Sequence, residues 1–226
     1  MKKIMFNDTF GLTQAVLDGR KTMTRRWILQ PPYENYDMAF PVPTVAFDEE
    51  SPFNGAFCWV NKENRNEYTK WICPQWRVGE VVAVAQSYQS VFDEADKKGY
   101  WNDEYADFWN TITHNHAGWK NKMFVKAELM PHQIQITDVT LQRLQDISDE
   151  DCLKEGVVED IHHIGGAVIK KYHPSPEHVK AMHKIGWGRV YDTPQEAFAQ
   201  LIDKVCCKET WDCNPYVFVY EFKLIG

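Results

Sequence analysis

The sequence predicts an α+β domain, rich in strands of antiparallel length, with a few flanking helices and two large insertions. Three observations carry this. Short apolar or alternating runs recur along the chain: "KKIMF", "TMTRRWI", "VVAVA", "IQITDVTLQRL" and "YVFVYEFKL". The regular strand–helix alternation that builds a doubly wound parallel sheet is missing. No repeat and no linker divides the 226 residues, so a single domain over 1–226 is expected, with insertions at about 30–75 and 89–121 and a long loop at about 157–192.

"KKIMF" opens the chain as a short strand. Asn7 or Asp8 then caps a helix that runs to about Asp18, with Phe10, Ala15, Val16 and Leu17 among its apolar residues and Gly19 as its stop. "TMTRRWI" is extended, being rich in β-branched and aromatic residues, and ends before "QPP". The first insertion is rich in proline, asparagine and glutamate. Its two aromatic patches, "GAFCWV" and "EYTKWI", are expected to pair as a hairpin. A turn at Gly79 leads into a buried strand from Val81 to Ala85.

The second insertion is expected to hold one short helix near "DEYADFWN". Strands resume with "KMFVKAEL" and continue in "IQITDVTLQRL", where Ile134, Ile136, Val139 and Leu141 fall on two short alternating runs. "SDEDCLKEG" reads as a short helix with Ser148 as cap, acids in its first turn and Gly156 as its stop. Residues 157–192 show little periodicity and are expected to form a loop. "TPQEAFAQLIDKV" is the strongest helix signal: Thr193 caps, Pro194 takes the first helical position and Glu196 completes a capping box. "YVFVYEFKL" closes the chain as a strand.

A formal net charge of −7 argues against a protein that coats nucleic acid without specificity, but leaves room for a locally basic cleft. One segment stands out against that background. Arg20, Lys21, Arg25 and Arg26 fall within seven residues, interleaved with Thr22, Met23 and Thr24. In an extended strand Thr22, Thr24 and Arg26 share one face, and Met23 and Arg25 the other. A lysine, a hydroxyl and an arginine together suit an anionic or carbonyl-bearing ligand. Composition alone favours a solvated basic turn.

The other chemistry-bearing residues read more plainly. His114, His116, His162, His163, His173, His178 and His183 have neither C-x2-C nor H-E-x-x-H around them, and solvated loop histidines without a metal are expected. Cys58, Cys73, Cys152, Cys206, Cys207 and Cys213 lack framework spacing and read as reduced thiols, with Cys206 or Cys207 packing the last helix on the core. Gly165 and Gly166 have no phosphate-loop context. "MKKIMFNDTF" has no apolar signal core and no run approaches a membrane span, so a soluble cytoplasmic protein without a membrane partner is expected.

Several separated pieces resemble one family, the ASCH domains of the PUA-like superfamily. The family pattern G-x-K-x-x-T-x-R is met by Gly19, Lys21, Thr24 and Arg26. "CPQWRVGEVVAVAQSY" is similar to the family's glycine turn and following strand, "ITDVTLQRLQDISDEDCLKEG" to its central block, and Trp211, Asn214, Pro215, Tyr216 and Val217 to its closing strand. The likeness is to the large form found in phage and prophage proteins, and so to a cytoplasm of bacterial or phage-infected cells.

The resemblance implies a small mixed or antiparallel PUA-like β-barrel with a cleft beside the first helix. It implies RNA, single-stranded nucleic acid or a modified nucleoside as partner, no cofactor, and contacts from Arg20, Lys21, Thr22, Thr24, Arg25 and Arg26, with Trp27 and Tyr88 stacking on a base. Small family members are amidohydrolases on N4-acetylcytidine, and ribonuclease activity also occurs in the family. That chemistry carries over as Lys21 the base and Thr24 the nucleophile. The family's strand glutamate is Gln86 here, which keeps the shape but neither takes a proton nor holds the ammonium in place. Glu80 is a weak substitute. A third expectation is a phage-encoded protein whose insertions engage a host partner.

Overall fold

A mixed five-stranded sheet carries the fold. The computed structural model describes residues 1–28, 30–39, 56–99, 112, 114–164, 167–175 and 190–225. In chain order the first half contains β1 (Lys2–Ile4), α1 (Leu12–Leu17), β2 (Met23–Trp27), β3 (Tyr36–Ala39), β4 (Cys58–Asn61), β5 (Val81–Val84) and α2 (Tyr88–Lys98). The second half contains β6 (Gln133–Arg143), α3 (Asp149–Lys154), β7 (Val158–Ile164), β8 (Ala167–His173), α4 (Pro194–Val205), α5 (Thr210–Cys213) and β9 (Tyr216–Leu224). The sheet runs β1-β5-β6-β9-β2; only β1 and β5 are parallel. Its edges, β1 and β2, are not joined by backbone pairing among the described residues, so the sheet is open at the seam where the expected barrel would close.

Strand alternation sorts the residues that matter. On β9, Tyr216, Phe218, Tyr220 and Phe222 face one way, and their cross-strand partners on β2 and β6 share that face. This face, the inner face of the sheet, holds Arg26 opposite Phe218, Thr24 opposite Tyr220 and Arg143 opposite Tyr216. Phe6 meets Phe222 at 5.7 Å between ring centroids, and Trp76 meets Tyr220 edge-on at 5.0 Å. The first insertion lays Phe57 against Phe218 and Trp59 against Tyr216. The opposite face is covered by α4, whose Phe198 lies under the Arg25 guanidinium at 5.9 Å.

Most of the expected strands form. The two aromatic patches of the first insertion do pair, through Phe57 with Ile72 and Val60 with Tyr68, and β3 joins β4 on the other side. The two alternating runs after residue 133 are one strand, β6, broken in register by a bulge between Ile136 and Asp138. α4 starts as expected: Thr193 Oγ1 accepts the Glu196 N–H at 3.2 Å, although Glu196 returns its bond to the Asp192 N–H. Thr193→Ala is expected to lower the urea midpoint by an amount equivalent to about 1 kcal/mol at an unchanged m-value.

Several expectations are corrected. α1 begins at Leu12 behind Gly11, because Asn7 turns its side chain to the Thr9 N–H and Asp8 takes the Thr13 hydroxyl. "KMFVKAEL" forms two 3₁₀ turns, at Lys122–Phe124 and Ala127–Leu129, instead of a strand. Among the described residues the second insertion also holds a helix that was not expected, α2, capped by Ser87 and packed through Tyr88, Val91 and Ala95; "DEYADFWN" lies outside the described residues. Within 157–192 the chain forms the β7–β8 hairpin, while Gly165, Gly166, His178 and His183 lie outside the described residues. His173 is buried, and Cys206 and Cys207 are exposed; Cys58 and Cys152 are the buried thiols among the described residues. No helix among the described residues is long and apolar enough to cross a membrane.

Candidate binding site

The end of α1 sets the direction of the basic segment. Gly19 takes a φ of 73°, where a Cβ would be strained. Its N–H meets the Val16 carbonyl and the Arg20 N–H meets the Ala15 carbonyl, each at 2.9 Å, closing the helix in a Schellman turn. The chain is thereby swung under the C-terminal end of α3, and Lys21 enters the interior.

Lys21 is buried with all three ammonium donors used. It reaches the Met23 carbonyl at 2.7 Å, the Glu155 carbonyl at 2.7 Å and Glu155 Oε2 at 2.6 Å. The other Glu155 oxygen accepts from Arg25 at 3.0 Å, and Arg25 also reaches Asp151 at 3.4 Å. Lys21 and Arg25 thus clamp the C-terminal end of α3, where a free carbonyl and a carboxylate both call for a cation. Burial pulls Lys21 below the ordinary lysine range, and the Glu155 carboxylate opposes that pull. Cys152, enclosed in the same region, is pushed up to about 12 by burial, so its thiol is inert.

Gln86 stands apart from this cluster. It is buried, and its side-chain amide donates to Glu94 of α2 at 3.4 Å, while its Oε1 has no partner. The anion expected to be lacking beside Lys21 is therefore supplied by Glu155, from a different part of the chain. Glu80 stays in its turn, bound to Lys2 at 3.0 Å and to the Arg77 N–H at 3.0 Å. Thr24 is buried on the inner face of the sheet, opposite Tyr220.

The remaining candidates separate by face. Arg20 is exposed and pairs with Asp18 at 2.8 Å, and Thr22 is half-buried at the start of β2. Trp27 is exposed on the face opposite Arg26. Tyr88 is fully buried as the first residue of α2, where its hydroxyl accepts the Lys126 N–H at 2.9 Å and its ring meets His116.

Arg26 is different. Of the segment's four cations it is the one with no carboxylate partner among the described residues. Its Nη2 donates to the Met5 carbonyl at 2.8 Å, so the side chain spans the gap between β2 and the end of β1. The guanidinium lies 5.7 Å from the Phe6 ring and 5.6 Å from the Trp76 ring. Arg26 Nε and Trp76 Nε1 are both buried without a hydrogen-bond partner. Burial pulls the guanidinium below its ordinary value, with Glu155 opposing, but an arginine stays charged across the accessible pH range. Two buried donors and a guanidinium in ion-pair contact with no carboxylate among the described residues meet on one aromatic-walled seam.

Phe6, Trp76 and Glu155 are the residues that sequence reasoning did not single out. Glu155 carried a signal: a carboxylate immediately before a helix-stopping glycine sits where the helix end repels anions, and so implies a nearby cation. Phe6 and Trp76 carried none, since only the tertiary fold brings them to Arg26. No family model, no curated protein and no solved structure matches this chain.

Proposed function

We propose that the chain is a PUA-like, ASCH-type binding module for RNA or a related nucleotide ligand, held at the seam between β1 and β2 with Arg26 as the contacting cation. The observation that carries this is the Arg26–Trp76 pair of unpartnered buried donors, set between aromatic rings, with a guanidinium that pairs with no carboxylate among the described residues. A buried donor without a partner is costly, and acceptors on a base edge or a phosphate would satisfy both. The arginine and the rings together offer charge and stacking, the two contributions that nucleotide recognition uses. The motif Gly19, Lys21, Thr24 and Arg26 supports the same reading. Gly19 turns the chain, Lys21 anchors it, and Thr24 and Arg26 face the seam.

The hydrolase reading has weaker support. A base must be free to accept the Thr24 proton, whereas Lys21 has its three protons committed to Glu155 and Met23.

The test is titration of a labelled ten-nucleotide RNA at about 50 and 200 mM salt. Wild type is expected to bind, more weakly at the higher salt. Arg26→Ala is expected to lose about tenfold or more and to flatten the salt slope by about one. Arg20→Ala, which removes an exposed and already paired cation, is expected to leave binding near wild type. Absence of binding, or binding indifferent to Arg26→Ala, would overturn the proposal.

A further inference from the structure

The inner face of the sheet carries a second feature, two residues along β9 from the Arg26 seam. A cavity of about 520 Å³ lies where the first insertion crosses the ends of β6 and β9. Its walls include Tyr33, Tyr36, Trp59, Tyr216 and Arg143. The Arg143 guanidinium lies over the Tyr216 ring with its carbon 3.7 Å from the centroid, closer than any other cation–ring approach among the described residues. One guanidinium nitrogen is tied to the Asn214 carbonyl at 3.0 Å, which fixes the group in place. No carboxylate pairs with Arg143 among the described residues.

The chemistry of the cavity selects its occupant. Lys62 and Arg143 are balanced by Glu34 and Asp37, and Asp37 is already paired with Lys62 at 3.3 Å. Such a cavity has no net charge with which to prefer a bare anion. It offers a flat stacking surface with donors and acceptors at its edge, which suits a planar ring carrying both. Tyr33, 72% exposed at the mouth, adds an aromatic face that folding leaves uncovered. The volume lies within the range that takes one small ligand.

Position links the cavity to the seam. Arg26 is opposite Phe218, and Arg143 is opposite Tyr216 on the other side of β9. Two strand spacings and two residues of rise place the two arginine backbones about 12 Å apart on one face. The packed rings of Phe57, Trp59 and Phe218 lie between.

We propose that this cavity is a second subsite, receiving a nucleobase, so that the ligand is a single-stranded oligonucleotide and not a lone nucleoside. The proposal rests on the Arg26 reading above. One strand, passing around the buried rings of Phe57, Trp59 and Phe218, places one nucleotide at the seam and another base of the same strand on the Arg143–Tyr216 stack.

Two probes separate the two readings: uridine 5′-monophosphate and a labelled ten-nucleotide oligouridylate, titrated against wild type, Tyr33→Ala, Arg143→Ala and Arg26→Ala. Tyr33→Ala alters an exposed ring and guards against loss of folding in Arg143→Ala. Both variants are expected to weaken the oligonucleotide by about fivefold or more while leaving the mononucleotide unchanged. Arg26→Ala is expected to weaken both probes. If Tyr33→Ala and Arg143→Ala bind the oligonucleotide like wild type while Arg26→Ala weakens both probes, the second subsite is overturned and the seam stands. If Arg26→Ala changes neither probe, the seam reading falls and the second subsite falls with it.

Discussion

Glu155→Ala is expected to destabilise the protein by about 3–5 kcal/mol, seen as a large fall in the urea midpoint at a nearly constant m-value. The carboxylate is the hub of a buried cluster: one oxygen takes Lys21 at 2.6 Å and the other takes Arg25 at 3.0 Å. Both cations have almost no contact with water. Removing the hub leaves Lys21 with two backbone carbonyls and no anion, and Arg25 with Asp151 at 3.4 Å. The cost is that of an uncompensated buried charge, not of one lost bond.

The same argument predicts a rescue. Lys21→Met combined with Glu155→Leu removes the carboxylate together with one of its two buried cations and is expected to recover part of the loss, because apolar residues of similar volume often replace buried ion pairs at little cost, while Arg25 keeps only Asp151 at 3.4 Å. The double-mutant cycle is expected to show a coupling of about 2–3 kcal/mol. A loss below about 1 kcal/mol for Glu155→Ala would mean that the cluster behaves as a solvated surface pair, and its anchoring role would be abandoned.

That outcome bears on what the sequence could disclose. The basic segment was legible as an object: the helix stop at Gly19, the extended residues after it and the alternation of their faces follow from local rules, and all are present. How its charge is spent was not legible. Lys21 and Arg25 are neutralised by acids 134 and 130 residues away, and strand alternation says which face a side chain takes without saying what waits there. The elements that failed did so for physical reasons. "KMFVKAEL" has strand composition, but Tyr88 takes the Lys126 N–H and 3₁₀ turns form on either side. β7 and β8 alternate poorly because they pair as a two-stranded hairpin outside the main sheet, where no buried face imposes a pattern. The site itself is a product of topology. Phe6, Trp76 and Arg26 are distant in sequence and meet where the Arg26 side chain of edge strand β2 reaches the Met5 carbonyl at the end of the other edge strand, β1.

Gln86→Glu is the second variant with a large expected effect, and its sign separates resemblance from geometry. By resemblance the substitution restores a family glutamate and should favour hydrolysis. By geometry the new carboxyl would lie beside Glu94, whose carboxylate already accepts the Gln86 amide at 3.4 Å. Burial pushes Glu94 up, but Lys98 and His132 outweigh it and hold the carboxyl below its ordinary range, so it is charged at neutral pH. A second buried carboxylate there has no cation of its own and is expected to cost about 3 kcal/mol at neutral pH. Its folded pKa would be raised above the unfolded value, so the unfolded chain releases this proton first. Relative to wild type, stability should therefore match below about pH 4 and fall as pH rises above it, levelling once the folded carboxyl ionises. Urea midpoints of both proteins across that range measure it, with N4-acetylcytidine supplied at neutral pH as the activity arm. No hydrolysis is expected from either protein. A variant that equals wild type in stability at every pH and gains hydrolysis would show that position 86 turns toward Lys21 and Thr24. The seam would then be a catalytic site, and binding alone would no longer account for it.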